Sequence, residues 1–99
     1  MSLSTHVLNA ATGRPADGVS VRLEAADGTL LAQGRTDADG RIKDLPAPEA
    51  GVHRLVFDTG DLSPFYPEVT IAFTVTDPAQ HYHVPLLLSP YSFSTYRGS

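Results

Sequence analysis

The stretch Val69-Thr70-Ile71-Ala72-Phe73-Thr74-Val75-Thr76 decides the fold class. Its larger apolar residues fall at 69, 71, 73 and 75, with small or hydroxylated residues between them. A period of two is that of a strand with one face in a core and the other turned away from it. The same alternation recurs outward along the chain. Val19, Val21 and Leu23 alternate with Ser20, Arg22 and Glu24, and Tyr91, Phe93 and Thr95 alternate with Ser92, Ser94 and Tyr96. Leu55 and Phe57 flank Val56, and Val84 to Leu88 is apolar on both faces. Thr5 to Asn9 reads as a short first strand, with His6 and Leu8 on one face and Val7 on the other. Between these runs lie Gly13-Arg14-Pro15, Asp17-Gly18, Asp27-Gly28, Asp39-Gly40, Pro46 to Gly51 and Gly60 to Pro64, all of them turn chemistry. Asp27-Gly28, set between Leu23 and Leu30, has the position of a hairpin loop. No window of ten residues free of Gly and Pro carries a helical stripe, and Asp77-Pro78 suits the start of a single turn at most. The pattern predicts an all-β chain: an antiparallel β-sandwich of seven to eight short strands in one domain spanning residues 1–99.

Composition narrows the function classes. With 41% hydrophobic and 18% charged residues the chain is too apolar and too weakly charged for disorder. The absence of Cys removes disulfide scaffolds and thiolate metal sites. Seven Lys and Arg against eleven Asp and Glu give a net charge of −4, the wrong sign for a nucleic-acid footprint. No apolar run approaches the roughly 18 residues of a membrane helix, so neither nucleic acid nor membrane is expected as a partner. The first ten residues, MSLSTHVLNA, lack the basic head and long apolar core of a signal peptide. A cytoplasmic protein is therefore expected, with a periplasmic precursor as the alternative. A domain of 99 residues buries little surface for its size, so subunit contacts would add stability.

Four histidines are the obvious chemical candidates: His6, His53, His81 and His83. His81 and His83 stand two apart in a strand-like run, so both rings project from one face and Tyr82 from the other. Such a pair could supply two metal nitrogens or a general base near neutral pH, or could be two ordinary half-exposed strand residues. No carboxylate falls nearby at ligand spacing, so a complete metal site is not expected. His6 taken alone reads as a surface histidine, and His53 and Arg54, at the start of the third strand, read as surface residues. Arg41 follows the Asp39-Gly40 turn, where it is either solvated or a clamp for an anion. The end of the chain is unusual. Tyr96-Arg97-Gly98-Ser99 closes a segment patterned as a strand, whereas chain ends commonly fray.

Read together, LSTHVLNAATGRPADGVSVRLE, TDADGRI and HYHVPLLLSPYSFSTYRGS resemble the 5-hydroxyisourate hydrolase family, also called transthyretin-related or transthyretin-like proteins. The resemblance covers nearly the whole chain, and HYHVPLLLSP with the terminal YRGS is its most specific part. It implies a transthyretin-type sandwich of eight strands, assembled as a homotetramer. The implied activity is a step of urate breakdown, hydrolysis of 5-hydroxyisourate to 2-oxo-4-hydroxy-4-carboxy-5-ureidoimidazoline, with no cofactor and no metal. The catalytic roles it implies fall on His6, Arg41, His83 and Ser99, with His6, Arg41, Tyr96, Arg97 and Gly98 binding substrate. In the tetramer these groups would meet at subunit interfaces, and His81 becomes a supporting neighbour of the site. One departure stands out. Asp58 to Pro64 runs directly into Phe65-Tyr66-Pro67-Glu68-Val69, too short for the helix that family members usually carry there.

The resemblance also supplies a mechanism and its rivals. A neutral His83 or His6 would deprotonate water for attack on a ring amide of a flat anionic substrate, and Arg41 would stabilise the developing oxyanion. Arg41 and Arg97 together would make the pocket locally positive in a net negative chain. One rival is a non-catalytic transthyretin-like carrier of small ligands, in which the polar set of His6, Arg41, His83 and YRGS would be replaced. The other is an adhesion module, since GRPADGVSVRLEAADGTLLAQGRTDADGRI also resembles the first half of prealbumin-like repeats on secreted proteins. A tetramer fits the hydrolase, and a monomer fits the adhesion module.

Overall fold

Alternating side chains give each strand an apolar face, and the structure, a computed structural model that describes residues 2–46 and 48–99, stacks those faces between two sheets. Its strands are β1 (Leu3–Asn9), β2 (Arg14–Pro15), β3 (Ser20–Ala25), β4 (Leu30–Arg35), β5 (Arg41–Leu45), β6 (Gly51–Asp58), β7 (Glu68–Val75), β8 (Tyr82–His83), β9 (Leu86–Ser89) and β10 (Ser92–Thr95). The sandwich is as expected, but its strands are shorter and more numerous than seven to eight. Pro85 has no N–H to give a ladder, so the apolar run around it divides into β8 and β9, and Arg14–Pro15 forms a two-residue strand of its own. Among the described residues there is no helix.

One sheet has the order β4-β3-β6-β7 and is antiparallel throughout. The β6–β7 ladder runs unbroken from Gly51 opposite Val75 to Asp58 opposite Glu68. Beside it, β3 sets Val21 against Phe57 and Leu23 against Leu55. The Asp27-Gly28 hairpin turns β3 into β4, with Gly28 at a φ of 89° and the Asp27 carboxylate accepting from Thr29 N at 2.9 Å.

The second sheet is organised around β1. On one flank β1 pairs antiparallel with β5 and β2, and on the other it pairs parallel with β8 and β9. β10 closes the edge antiparallel to β9. The sandwich is thus not antiparallel throughout as expected. Parallel neighbours require a long crossover, and the whole of the other sheet lies in sequence between β1 and β8.

Leu3, Val7, Val21, Leu23, Leu55, Phe57, Val69, Val75, Leu86 and Leu88 fill the space between the sheets. Each such side chain contributes about 1.5–3 kcal/mol by leaving water. His53 corrects the reading from sequence. It shares a face with Leu55 and Phe57 and is only 6% exposed. Its Nδ1 lies 3.2 Å from Gly51 O and its ring centroid 6.1 Å from that of Phe73, so the buried imidazole keeps a polar partner.

The connections follow the turn chemistry. The short Asp58–Pro64 segment folds back by Leu62 N and Ser63 N donating to Thr59 O, at 2.9 and 3.0 Å. Ser63 Oγ in turn accepts from Phe65 N and Tyr66 N and donates to Pro90 O. Asp77 closes the expected single turn, accepting from Ala79 N on its side chain and from Gln80 N on its carbonyl. The turn read between Pro46 and Gly51 contains Ala47, which lies outside the described residues.

Candidate active site

Alternation along β1 sorts its residues into two sets. Leu3, Thr5 and Val7 are buried, and Ser4 and His6 are half-buried on the outer face. Arg41 on β5 is the direct antiparallel partner of His6, and His83 on β8 is the parallel partner of Ser4. Directly paired residues share a sheet face. His83, His6 and Arg41 therefore stand on one outer face of three adjacent strands. With strands about 4.8 Å apart, the cluster is about 10 Å wide.

Arg41 is delivered by the Asp37–Arg41 turn. Asp37 Oδ1 accepts from Asp39 N at 2.9 Å and from Arg41 N at 3.0 Å, while Asp37 N donates to Arg41 O at 2.9 Å. These bonds, that from Arg41 N first, hold the Asp37 carboxyl below its ordinary range. Gly40 takes a φ of 74° and its carbonyl accepts from Val7 N at 2.7 Å. A Cβ at Gly40 would sit 2.5 Å from Val7 O, so only glycine lets the turn close onto β1. That contact fixes Arg41 opposite His6.

His83 is placed by the interruption at Pro85. Val84 N donates to Ser4 O at 3.0 Å, and the buried Thr5 hydroxyl donates to Val84 O at 2.6 Å. The Thr95 hydroxyl donates to Pro85 O at 2.7 Å. Side chains thus satisfy carbonyls at the break. On the outer side Gly98 N donates to His83 O at 2.8 Å. A Cβ at Gly98 would collide with the His83 ring carbons, so glycine is what allows the chain end to lie against that ring.

The electrostatics of the cluster follow from this packing. Burial lowers the His83 pKa below its ordinary value, and repulsion from the Arg41 guanidinium, and from His6 and His81 when they are protonated, pushes it the same way. The Ser4 main chain acts in the opposite direction. At neutral pH the His83 ring is accordingly uncharged, with a lone pair available, beside a permanently charged guanidinium.

A cleft of about 400 Å³ opens beside the cluster, lined by Ser4, Thr5, Asp39, Arg41, Ile42, Lys43 and His81. Of the candidates read from sequence, the structure brings together His6, Arg41, His83 and Gly98. His81 also lies here, its ring nitrogens facing the hydroxyls of Ser2 and Ser4. Tyr96 and Arg97 turn elsewhere. They line a separate groove of about 320 Å³ with Ile71, Phe73, Tyr82 and Val84. The Arg97 guanidinium sits 4.5 Å over the Tyr82 ring and donates to Gln80 Oε1 at 3.2 Å. Within one chain Arg97 therefore stands apart from the histidine cluster. Ser99 is exposed at the chain end next to Gly98. Among the described residues, no three His, Asp or Glu side chains are grouped so as to hold a metal ion. Sequence reasoning passed over Ser4 and Lys43. Ser4 shares the face of His6 by alternation, but only the β1–β8 register puts it against a histidine.

Comparison with known proteins completes this picture. The HIUase/Transthyretin family matches residues 3–98. The chain belongs to that family. A 5-hydroxyisourate hydrolase of Salmonella typhimurium is 47% identical, with 98% of this chain and 80% of the relative covered. The match extends over 109 positions, so the relative carries residues that this shorter chain lacks. Among solved structures, Klebsiella pneumoniae 5-hydroxyisourate hydrolase superposes with a TM-score of 0.87 at 38% identity, covering 100% of both chains. Transthyretin from Sparus aurata gives a TM-score of 0.85 at 34% identity, covering 98% of this chain and 96% of its own. Family membership accounts for the two-sheet fold, which hosts both hydrolases and transthyretin.

Proposed function

We propose that this chain is a hydrolase of 5-hydroxyisourate, opening the six-membered ring to give 2-oxo-4-hydroxy-4-carboxy-5-ureidoimidazoline in urate breakdown. His6, Arg41 and His83 are its working groups. The observation that carries the reading is a neutral, partly buried His83 on one sheet face with His6 and Arg41. A carrier would have no use for a base of lowered pKa beside a fixed cation. The names of the relatives at 47% and 38% identity point to the same substrate.

The chemistry follows from the residues. Neutral His83 takes a proton from water while the water oxygen bonds to the ring amide carbon. The carbonyl oxygen gains negative charge, and the Arg41 guanidinium, with its planar fork of N–H donors, stabilises it. The tetrahedral adduct then expels the ring nitrogen. The C–N bond breaks, and the proton held on imidazole, supplied through His83 or His6, passes to that nitrogen. A strip about 10 Å wide suits a substrate the size of a purine.

The assembly proposed is a homotetramer, in which faces from neighbouring chains close each site. Tyr96, Arg97 and Ser99 are proposed to reach substrate across that interface, since within one chain Tyr96 and Arg97 face another groove. Large apolar side chains left exposed on the single chain, Phe65, Tyr91, Phe93 and Tyr96, fit an assembled protein.

The test is an assay of the purified protein that follows loss of the 5-hydroxyisourate absorbance. Wild type is expected to be active, with His83→Ala, His6→Ala and Arg41→Ala each at least about a hundredfold slower. Rates near wild type in the histidine variants would remove the proposed base. No hydrolysis by wild type, combined with tight binding of a substrate analogue, would give the carrier reading instead.

A further inference from the structure

Hydrogen bonds on the outer side of β1 join His83 to three polar side chains, Ser2, Ser4 and His81, that the proposed chemistry does not use. Ser2 Oγ lies 2.5 Å from His81 Nδ1, Ser4 Oγ 3.1 Å from His81 Nε2, and Ser4 Oγ 2.8 Å from His83 Nδ1. His81, just ahead of β8, and His83, within it, are thus bridged by a single hydroxyl. We infer that Ser4 and His81 are positioning residues that keep the His83 proton on Nδ1 and leave Nε2 as the bare nitrogen that attacks protons. This inference rests on the reading of His83 as the base.

A serine hydroxyl has one hydrogen, so Ser4 can donate to one imidazole only and must accept from the other. With both histidines neutral, the chain of bonds has two possible directions. In one, His83 Nδ1–H donates to Ser4 Oγ, the Ser4 hydroxyl donates to His81 Nε2, and His81 Nδ1–H donates to Ser2 Oγ. In the other every donor and acceptor is exchanged, and the His83 proton sits on Nε2, where it blocks the base.

The reading of His83 as the base selects the first direction. Ser4 and His83 are register partners and the Ser4 hydroxyl engages Nδ1, so Nε2 is the ring nitrogen left outside this chain of bonds. Only with the hydrogen on Nδ1 does Nε2 keep the lone pair that takes a proton from water. Gly98 covers the Cγ–Cδ2 edge of the same ring and limits its rotation. Which ring nitrogen carries the proton is set by the bond the other makes, and a base held in the wrong tautomer cannot act.

Two readouts test this on the full-length protein. The first is the tautomer of each histidine from multiple-bond 1H–15N correlations at pH 8, with His83 assigned by His83→Gln. His83 and His81 are both expected as the Nδ1–H form, and Ser4→Ala is expected to shift His83 toward a mixture. An Nε2–H form of His83 in wild type, or no change in Ser4→Ala, overturns the inference. The second readout is kinetic. Ser4→Ala and His81→Ala should each lower kcat about tenfold, part of the roughly 10²–10⁴ that general acid–base catalysis contributes, with KM within about twofold. Ser4→Thr, which restores the hydroxyl, and His81→Gln, which restores an acceptor, should recover most of that loss. Because both alanine changes break one chain, the double variant should be little slower than either alone. Unchanged kcat in both alanine variants, or His81→Gln as slow as His81→Ala, overturns the positioning role. His81 is exposed, so its variants remain readable if Ser4→Ala folds poorly. Should wild type hydrolyse nothing, the proposed activity fails, while the nitrogen spectra still decide the tautomer.

Discussion

The β6–β7 ladder and the surroundings of β1 use the same residue types to different ends. β6 and β7 follow one another in sequence and pair at every position from Gly51 to Asp58 without a shift. The strand β1 meets β5, β2, β8 and β9 in short segments, two antiparallel and two parallel, with a register shift between Leu3 and Thr5. A regular ladder of sequential strands brings together only what a turn already made adjacent. A broken ladder joins segments from opposite ends of the chain, and here it sets a residue near position 6 between residues 41 and 83. The regular sheet supplies stability, and the interrupted one supplies the site.

Substitutions can sharpen or break that contrast. The largest effect on folding is expected from the regular sheet. Phe57→Ala empties a fully buried position on β6 and should cost about 3–5 kcal/mol in denaturant unfolding, with kcat of the molecules that remain folded unchanged. A large loss of kcat in that variant would show that the two regions are not separable. Next are two glycines with the same φ of 74°. Gly13 has nothing within 4 Å of an added Cβ, so Gly13→Ala should cost only the backbone term, about 1 kcal/mol. Gly40→Ala adds the collision with Val7 O and should cost about 3 kcal/mol, with kcat/KM falling as Arg41 moves from His6. Equal losses in the two variants would refute the close approach of turn and strand.

The smallest effect is on pH dependence. Because the folded His83 pKa is lowered, through burial first and then Arg41, His6 and His81, the acid limb of kcat/KM should lie below pH 6.5. The sign for stability follows. Between the folded value and about 6.5 the unfolded chain binds the extra proton, so stability falls as pH drops through that window and levels off below it. His83→Gln should flatten this dependence in thermal unfolding. Arg41→Gln should move the acid limb of the residual activity upward, toward 6.5. A limb that stays in place would mean that the guanidinium does not act on the imidazole.

Much of this was legible before any coordinates. The alternation at Val19 to Leu23 and Val69 to Val75 correctly placed the inward residues of β3 and β7, because a strand buried on one face leaves no other pattern. The His81-Tyr82-His83 reading also held, with Tyr82 buried and the histidines on the other side. His53 misled because its polarity suggested solvent, whereas its phase with Leu55 and Phe57 pointed inward. The phase was the better guide, since a β-strand cannot turn one side chain without turning its neighbours. The place of Arg97 was not legible, for another reason. Its attachment to Tyr82 and Gln80 depends on the path of the chain end across the sheet, which no local pattern records.

The sequence by itself determined the faces of the strands, the places of the turns and the family, because these depend on neighbours within a few positions and on motifs written in order. Tertiary structure alone decided that β1 lies between β5 and β8, that Gly40 closes onto Val7, and that one serine bridges two histidines. These are register choices between distant segments. A shift of a single residue would turn the same side chains to the opposite face, so the site exists only once the core has fixed that register.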